Sequence, residues 1–247
     1  MYDYSAPNDL LKNRTILVTG AGDGIGKAAA LSFAAHGATV ILLGRGRKKL
    51  DTVYDEIEAN GYAQPVIVSL NLETATPENY QELADMIAEE FGSLDGLLHN
   101  AGILGQRTPI ANYSAKIWQE VMQVNVNAPF MLTKALLPVL EVADNASIIF
   151  SSSSVGRKGR AFWGAYAASK AATENLMATL ADEFDGVSSI RANCLNPGAT
   201  RTSMRMKAYP GENPDNLAAP QQIMPLYLYL MGSDSLAVNG QSIDAQS

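Results

Sequence analysis

The chain has little of what metal, disulfide or imidazole chemistry requires: one cysteine and two histidines in 247 residues. A lone Cys194 excludes an internal disulfide framework and suits a reducing compartment, so a cytoplasmic protein is expected. His36 and His99 are too few for a metal cluster or a Ser/His triad, and no metal is expected. His36 precedes Gly37 at a helix end and reads as a cap; His99 ends a central strand and reads as a satisfied core histidine. Positive charge is also short, with 18 Lys and Arg against 25 Asp and Glu, a formal net charge of -7. That balance excludes a nucleic-acid surface. Long apolar runs are missing: Ile223 to Met231 is far too short to span a bilayer and contains Pro225. Met1 to Leu11 is polar, carries Asp3, Pro7 and Asp9, and shows no signal pattern. No linker, repeat or low-complexity tract divides the chain.

What the chain has is apolar alternation. Hydrophobic residues make up 47%. Thr15 to Val18, Val40 to Leu43, Val66 to Leu70, Gly96 to Leu98, Ser147 to Phe150 and Ile190 to Leu195 read as strands. Helical spacing falls between them: Leu50, Val53, Tyr54 and Ile57 stop at Gly61, and Tyr80, Leu83, Ile87 and Phe91 run from a Thr76-Pro77 cap to Gly92. Longer helices are expected near Ser114 to Leu137 and Trp163 to Phe184. Near-continuous apolar strands alternating with helices predict a parallel, doubly wound sheet in one domain. Residues 203–220, with Pro210-Gly211 and Asn213-Pro214, follow a strand's carboxyl end and read as a substrate lid rather than a plain connection. Whether Pro225 kinks or starts its helix is left open.

Two patterns carry chemistry. TGAGDGIG, Thr19 to Gly26, joins a strand to a small-residue helix, and unpaired helix-start amides favour a phosphate there. Gly20 permits the turn, Gly24 lets backbone approach a pyrophosphate, and Gly26 lets the helix lie close to its strand. Alone, such a turn is as often an ordinary strand–helix connection. The second pattern is Tyr166 and Lys170, spaced i, i+4 on one helix face. A free tyrosine titrates near ~10, and a neighbouring ammonium is expected to lower that value. Ser153, at a strand end, could hold a carbonyl oxygen beside the phenol.

Together with Asn100-Ala101-Gly102, Asn125 and Asn196-Pro197-Gly198, in this order, these motifs resemble the short-chain dehydrogenase/reductase family over nearly the whole chain from Asn13. LDGLLHNAG (94–102), WGAYAASK (163–170) and IMPLYLYLMG (223–232) resemble its YciK-type bacterial branch. The resemblance implies a single Rossmann-type domain, a mostly parallel seven-stranded sheet with helices on both faces, preceded by an extension at 1–12. It implies Tyr166 as acid/base, Lys170 lowering its pKa and bonding the nicotinamide ribose, Ser153 orienting the substrate oxygen, and Asn125 joining a water-mediated relay. It assigns Gly20, Gly22, Asp23, Gly24, Ile25, Gly26, Arg45, Asn71, Leu72, Asn100, Ala101, Gly102, Tyr166, Lys170, Pro197, Gly198, Thr200 and Thr202 to the cofactor. Thr202 is expected to hold the carboxamide.

Further readings concern details. Gly44-Arg45 stands where an NAD site carries an acid, and Arg45, Arg47, Lys48 and Lys49 suit a 2′-phosphate, so NADP(H) is expected over NAD. Asp23 counts against that preference, and Asn71 replaces a common aspartate. Pro129, four residues after Asn125, removes the helical partner of the Asn125 carbonyl and either frees it for a water or merely kinks the helix. Ile103, Leu104, Ser154, Val155, Trp163, Ala199, Met204, Met206 and Tyr209 are expected near the substrate. Leu104, Trp163 and Met204, with Ser153 and Tyr166, are the positions carried forward. Arg107, Arg157 and Arg160 could meet an acidic substrate, although ordinary surface charge is the plainer reading. The function expected is a reversible carbonyl–alcohol oxidoreductase acting on a small molecule, without nucleic acid or membrane, as a homodimer or homotetramer. The competing class is a non-catalytic NADP(H)-binding redox sensor. The tail at 243–247 departs from the family's usual ending, which leaves its contacts in doubt.

Overall fold

A computed structural model describes residues 1–246. The strands are β1 (Thr15–Thr19), β2 (Thr39–Gly44), β3 (Val66–Ser69), β4 (Gly96–His99), β5 (Ser147–Ser151), β6 (Arg191–Asn196) and β7 (Ser242–Asp244). The helices are α1 (Gly24–Ala35), α2 (Arg47–Ala59), α3 (Pro77–Phe91), α4 (Ala115–Met122), α5 (Ala128–Glu141), α6 (Ser154–Arg157), α7 (Gly164–Phe184), α8 (Ser203–Ala208) and α9 (Met224–Met231). The sheet order is β3-β2-β1-β4-β5-β6-β7, and every pairing is parallel, where the sequence reading had it mostly parallel.

Strand periodicity sorts the core into two layers. Ile16, Val18, Val40, Leu42, Leu98, Ile149 and Leu195 point to one face, where α1, α2 and α9 supply Phe33, Leu50 and Tyr227. Leu17, Ile41, Leu43, Leu97, Ile148 and Phe150 point to the other, against Tyr80 and Ile87 of α3, Leu136 of α5 and Met177 of α7. Both faces being covered explains why the strands read as continuous apolar runs rather than alternating ones.

Local chemistry sets the element ends. Thr76 caps α3 in a box with Asn79, Pro77 opens the helix, and Gly92 closes it at φ 76°. His36 caps the end of α1 while its Nδ1 meets the Ser32 carbonyl at 2.7 Å. Pro225 starts α9, which settles the question the sequence left open. Polar side chains hold the carbonyls at the end of α9: Arg14 donates to Met231 O at 2.8 Å, Ser147 to Leu230 O at 2.7 Å, and Arg191 to the O of the capping Gly232 at 3.2 Å. The segment 1–12 is more than an extension. Tyr2 N donates to Ala245 O at 2.9 Å, Tyr2 and Tyr4 pack on Tyr229, and Leu11 is fully buried.

The long helix expected over Ser114 to Leu137 is interrupted. Between α4 and α5, Gln123–Asn127 form a π-helical turn in which Ala128 N donates to Gln123 O. Such wide turns let one extra residue into a helix and occur often at functional sites.

His99 ends β4 inside the core, stacked on Phe150 with centroids 4.7 Å apart, its Nε2 2.7 Å from Thr133 Oγ1. Burial, helped by the Lys170 ammonium, pushes its pKa from 6.5 down to about 3. Below ~6.5 the unfolded chain takes up a proton here that the folded chain refuses, so stability falls as pH drops toward about 3. His99→Gln is expected to flatten that loss, on the order of a few kcal/mol. The check is the slope of urea-unfolding free energy against pH in both proteins. Equal slopes would mean that His99 does not control it.

Candidate active site

After β3 the chain crosses back to place β4 on the other side of β1. At such a reversal two connections leave in opposite directions and open a crevice at the strands' carboxyl ends. A cleft of about 760 Å³ lies there.

One end of the cleft is the glycine turn. Gly20 has φ 69° and Gly24 φ 53°, a region that side-chain-bearing residues rarely adopt. Gly20, Gly22, Asp23, Gly24 and Ile25 line the cleft, as expected from the sequence. Gly26 does not. A Cβ there would sit 2.2 Å from the Gly20 carbonyl oxygen, so its smallness serves packing of α1 on the turn. Thr19 fastens this turn to its neighbour: its Oγ1 donates to Leu98 O and accepts from the Asn100 and Ala101 amides, both at 3.0 Å. Nothing in the sequence reading had singled out Thr19; the signal was its place at the strand end before Gly20.

The outer end carries Leu43, Gly44, Arg45, Lys49, Asn71, Leu72 and Glu73. Asp23 does less harm to an anion site than the sequence suggested. Its carboxylate pairs with Lys49 Nζ at 2.6 Å and caps Gly24 N at 2.8 Å, contacts that hold its pKa below the usual carboxylate value. Arg47 pairs with Asp51 within α2, whereas Arg45 has no carboxylate within pairing distance among the described residues.

The inner end brings Ser153, Tyr166 and Lys170 to one wall, with Asn100, Ala101, Gly102, Leu104, Trp163, Pro197, Gly198, Thr200, Thr202 and Met204 around them. Ser153 is the cap residue of α6, and α6 lies so close to α7 that a Cβ on Gly156 would be 2.8 Å from Lys170 backbone. This contact sets Ser153 in register with Tyr166 and Lys170. Lys170 is 6% exposed, and its Nζ donates to Ser151 O at 2.6 Å. Its ammonium lies 5.6 Å from the Tyr166 ring centre.

The electrostatics correct one expectation. Burial pushes the Tyr166 phenol up to about 12, opposed only by the neighbouring Ser153 hydroxyl. Burial also brings Lys170 down to about 8, against the pull of Cys194 and Glu174. The expected lowering of Tyr166 by Lys170 does not appear: loss of water raises the phenol, and the Ser153 hydroxyl is what lowers it.

Asn125 has a structural role that the sequence did not indicate. It lies behind the cleft wall, not on it. Its side chain accepts from Ile103 N at 2.8 Å and donates to Ile103 O and Ser169 Oγ, each at 3.0 Å. Ser169 in turn donates to Tyr166 O at 2.8 Å, so Asn125 clamps the Gly102–Ile103 loop to α7. Thr173 Oγ1 donates its proton to Ser169 O at 2.9 Å and lies 3.4 Å from the Asn125 carbonyl, the nearest donor to that oxygen among its side-chain contacts. Pro129 sits just past the π-helical turn, where the missing amide is absorbed without a break in α5.

Thr202 lines the cleft, and its Oγ1 caps α8 by accepting from Arg205 N at 3.1 Å while donating to Thr200 O at 3.4 Å. Of the further substrate positions, Ile103 lines the cleft; Ser154, Val155, Ala199, Met206 and Tyr209 do not. Val155 is buried beneath Trp163 and Ala208, with Tyr209 packed beside them. The tail resolves another doubt. Gln246 Nε2 donates to Pro197 O at 2.7 Å and reaches Ala199 O and Thr200 Oγ1 at 3.2 Å, bracing the Pro197–Gly198 loop. No sequence signal pointed to Gln246, and Ser247 lies outside the described residues.

A phosphate-cradling turn and a Ser–Tyr–Lys wall at opposite ends of one cleft describe a dinucleotide-dependent oxidoreductase scaffold, and the comparisons name the class. Residues 14–213 match the family described as short chain dehydrogenase, and the chain belongs to it. The chain is 55% identical to the uncharacterized oxidoreductase YciK of Escherichia coli K12 over 243 residues, 98% of this chain and 96% of that one. A short chain dehydrogenase structure from Salmonella enterica serovar Typhi CT18 shares 56% identity at a TM-score of 0.97, covering 99% of this chain and all of that one. A chain from Escherichia coli CFT073, solved with NADPH, shares 55% identity at a TM-score of 0.96, covering 98% and 100%.

Asn125→Ala removes three hydrogen bonds from a buried junction. It is expected to lower stability by roughly 2–4 kcal/mol, read as a drop in Tm. A Tm equal to the parent's would show that the clamp contributes nothing.

Proposed function

We propose that this chain is an NADP(H)-dependent oxidoreductase that interconverts a carbonyl and an alcohol by hydride transfer, with Tyr166 as acid/base. The observation that carries the reading is the single wall of Ser153, Tyr166 and Lys170, with the glycine turn at the cleft's far end. The relative from Escherichia coli CFT073 solved with NADPH supports the cofactor choice. So does the chemistry of the donor set. The turn holds Gly20 and Gly24 at positive φ, and a Cβ on Gly22 would lie 2.9 Å from Lys49 Cβ, so the backbone there has no room for side chains. Beside it, α2 begins with no acidic residue in its first turn.

In this reading the Gly20–Ile25 backbone holds the pyrophosphate and Arg45 the 2′-phosphate, while Pro197, Gly198 and Thr200 border the nicotinamide. The cofactor supplies or accepts the hydride. Ser153 holds the substrate oxygen with its hydroxyl. Tyr166 gives that oxygen a proton as the carbonyl is reduced, and takes it back in the reverse direction. Lys170 stabilises the phenolate left behind. A buried phenol near 12 is a stable proton store, and the adjacent ammonium matters most when negative charge develops on that oxygen. Leu104, Trp163 and Met204 receive the substrate body, and residues 203–220 act as its lid. The half-exposed Phe130 on α5 supports a homo-oligomer built through the long helices. The redox-sensor alternative is not favoured, because a binding module has no use for a buried lysine beside a phenol.

Three tests follow from this assignment. Tyr166→Phe is expected to cut kcat by ~100-fold or more while NADPH still binds. In the parent, reductive kcat/KM should fall as pH climbs through about 8, where Lys170 loses its proton and no longer stabilises the phenolate left by Tyr166. Turnover that survives Tyr166→Phe removes the phenol from the mechanism. Arg45→Ala should weaken NADPH by roughly tenfold, a loss of ~1.4 kcal/mol, and leave NADH nearly unchanged, as read by fluorescence titration. Equal weakening of both would place Arg45 away from the 2′-phosphate.

A further inference from the structure

Three arginines could face a substrate, and the structure separates them. Arg157 is neutralised, 2.9 Å from Asp244 and 3.6 Å from Glu174. Arg160 lies off the cleft, 3.4 Å from the Tyr209 hydroxyl. Arg107 alone of the three lines the cleft, beside Lys207. Its guanidinium stacks 4.7 Å from the Trp163 ring centre and 4.8 Å from that of Tyr209, and it donates to the Ala208 carbonyl. Among the described residues no carboxylate pairs with Arg107 or Lys207. Arg205 also lines the cleft, but Glu212 neutralises it through two contacts of 2.6 Å. A chain of net charge -7 thus keeps two uncompensated cations at the substrate end.

A second observation points the same way. Trp163 is 7% exposed, forms part of the cleft wall, and its Nε1 is buried without a hydrogen-bond partner. Buried polar groups are nearly always paired, so an indole N–H left without a partner on a ring of the cleft wall calls for an acceptor. Packing alone accounts for the ring stacking but leaves that donor unexplained.

We propose that the substrate is an oxo acid, its carboxylate received by Arg107 with Lys207 and the Trp163 indole N–H. This deepens the reductase reading and rests on it for the carbonyl. Trp163 lies between Tyr166, 5.7 Å away by ring centres, and Arg107. The carboxylate therefore sits one aromatic ring beyond the reacting carbon, which selects a spacer of several carbons over a 2-oxo acid. Leu104, Met204 and Ala208 offer that spacer an apolar channel.

The experiment uses the full chain with NADPH. Substrates are levulinate and its longer straight-chain homologues, each paired with its methyl ester. The expected result is an acid-over-ester preference in kcat/KM of tenfold or more for the longer homologues, collapsing toward parity in Arg107→Leu, with Arg107→Lys intermediate. A second measurement needs no turnover. In a Trp118→Phe background, leaving Trp163 as the one tryptophan, hexanoate should quench fluorescence saturably, hexanamide should not, and Arg107→Leu should abolish the effect. Equal reduction of acids and esters overturns the proposal while leaving the reductase intact. Absence of reduction with Arg107-dependent hexanoate binding upholds the anion site and sinks the reductase reading. Absence of both reduction and binding overturns the proposal.

Discussion

A lysine ammonium taken almost wholly out of water is the constraint around which the inner end of the cleft is built. Lys170 survives there because the Ser151 carbonyl accepts a hydrogen bond from it at 2.6 Å and because Glu174 lies within electrostatic reach. Charge in such surroundings must be paired or it is lost, and the drop of Lys170 to about 8 shows how near that limit it stands. The same burial reaches neighbouring groups. It keeps His99 neutral under the sheet, raises Tyr166, and raises the Cys194 thiol as well. The desolvated pair of phenol and ammonium is a poor place for standing negative charge and a good place for charge that exists only briefly.

Rigid supports surround that pair. The close contact of Gly156 with Lys170 backbone locks the turn bearing Ser153 to α7. Asn125 and Ser169 tie the opposite loop to the same helix through Ile103 and Tyr166 O. Gln246 braces the Pro197–Gly198 loop from the chain's end, and Tyr2 holds the residue before Gln246. Positions far apart in sequence thereby converge on one wall and hold its side chains in a fixed arrangement.

Charge along the cleft is polarised against the chain's own acidic balance. Arg45 and Lys49 mark the outer end, and Arg107 and Lys207 add two further cations to the lining. Asp23 could have opposed an anion at the outer end; instead Lys49 and the Gly24 amide absorb its charge. Cationic ends on an acidic body concentrate anionic ligands at the cleft rather than over the whole surface.

Much of this was legible in the residues. The strands announce themselves because both sheet faces are covered, so that Val40 to Leu43 and Ser147 to Phe150 are apolar without alternation. Thr76-Pro77 and Gly92 mark helix ends through backbone chemistry that acts within a few residues. The glycine turn and the i, i+4 placement of Tyr166 and Lys170 are local too, and the family resemblance rests on them. Other features were out of reach because they are relations between distant segments. The π-helical turn before Pro129, the clamp formed by Asn125 and the brace from Gln246 each pair groups that no spacing rule connects. Burial decided the rest. The i, i+4 spacing specifies that a phenol and an ammonium are neighbours, but whether water surrounds them depends on the whole packed molecule, and that set Tyr166 above its ordinary value rather than below it. Local order follows from short-range backbone geometry, which the sequence encodes directly, whereas solvation is a property of the assembled volume, and only the tertiary structure could fix it.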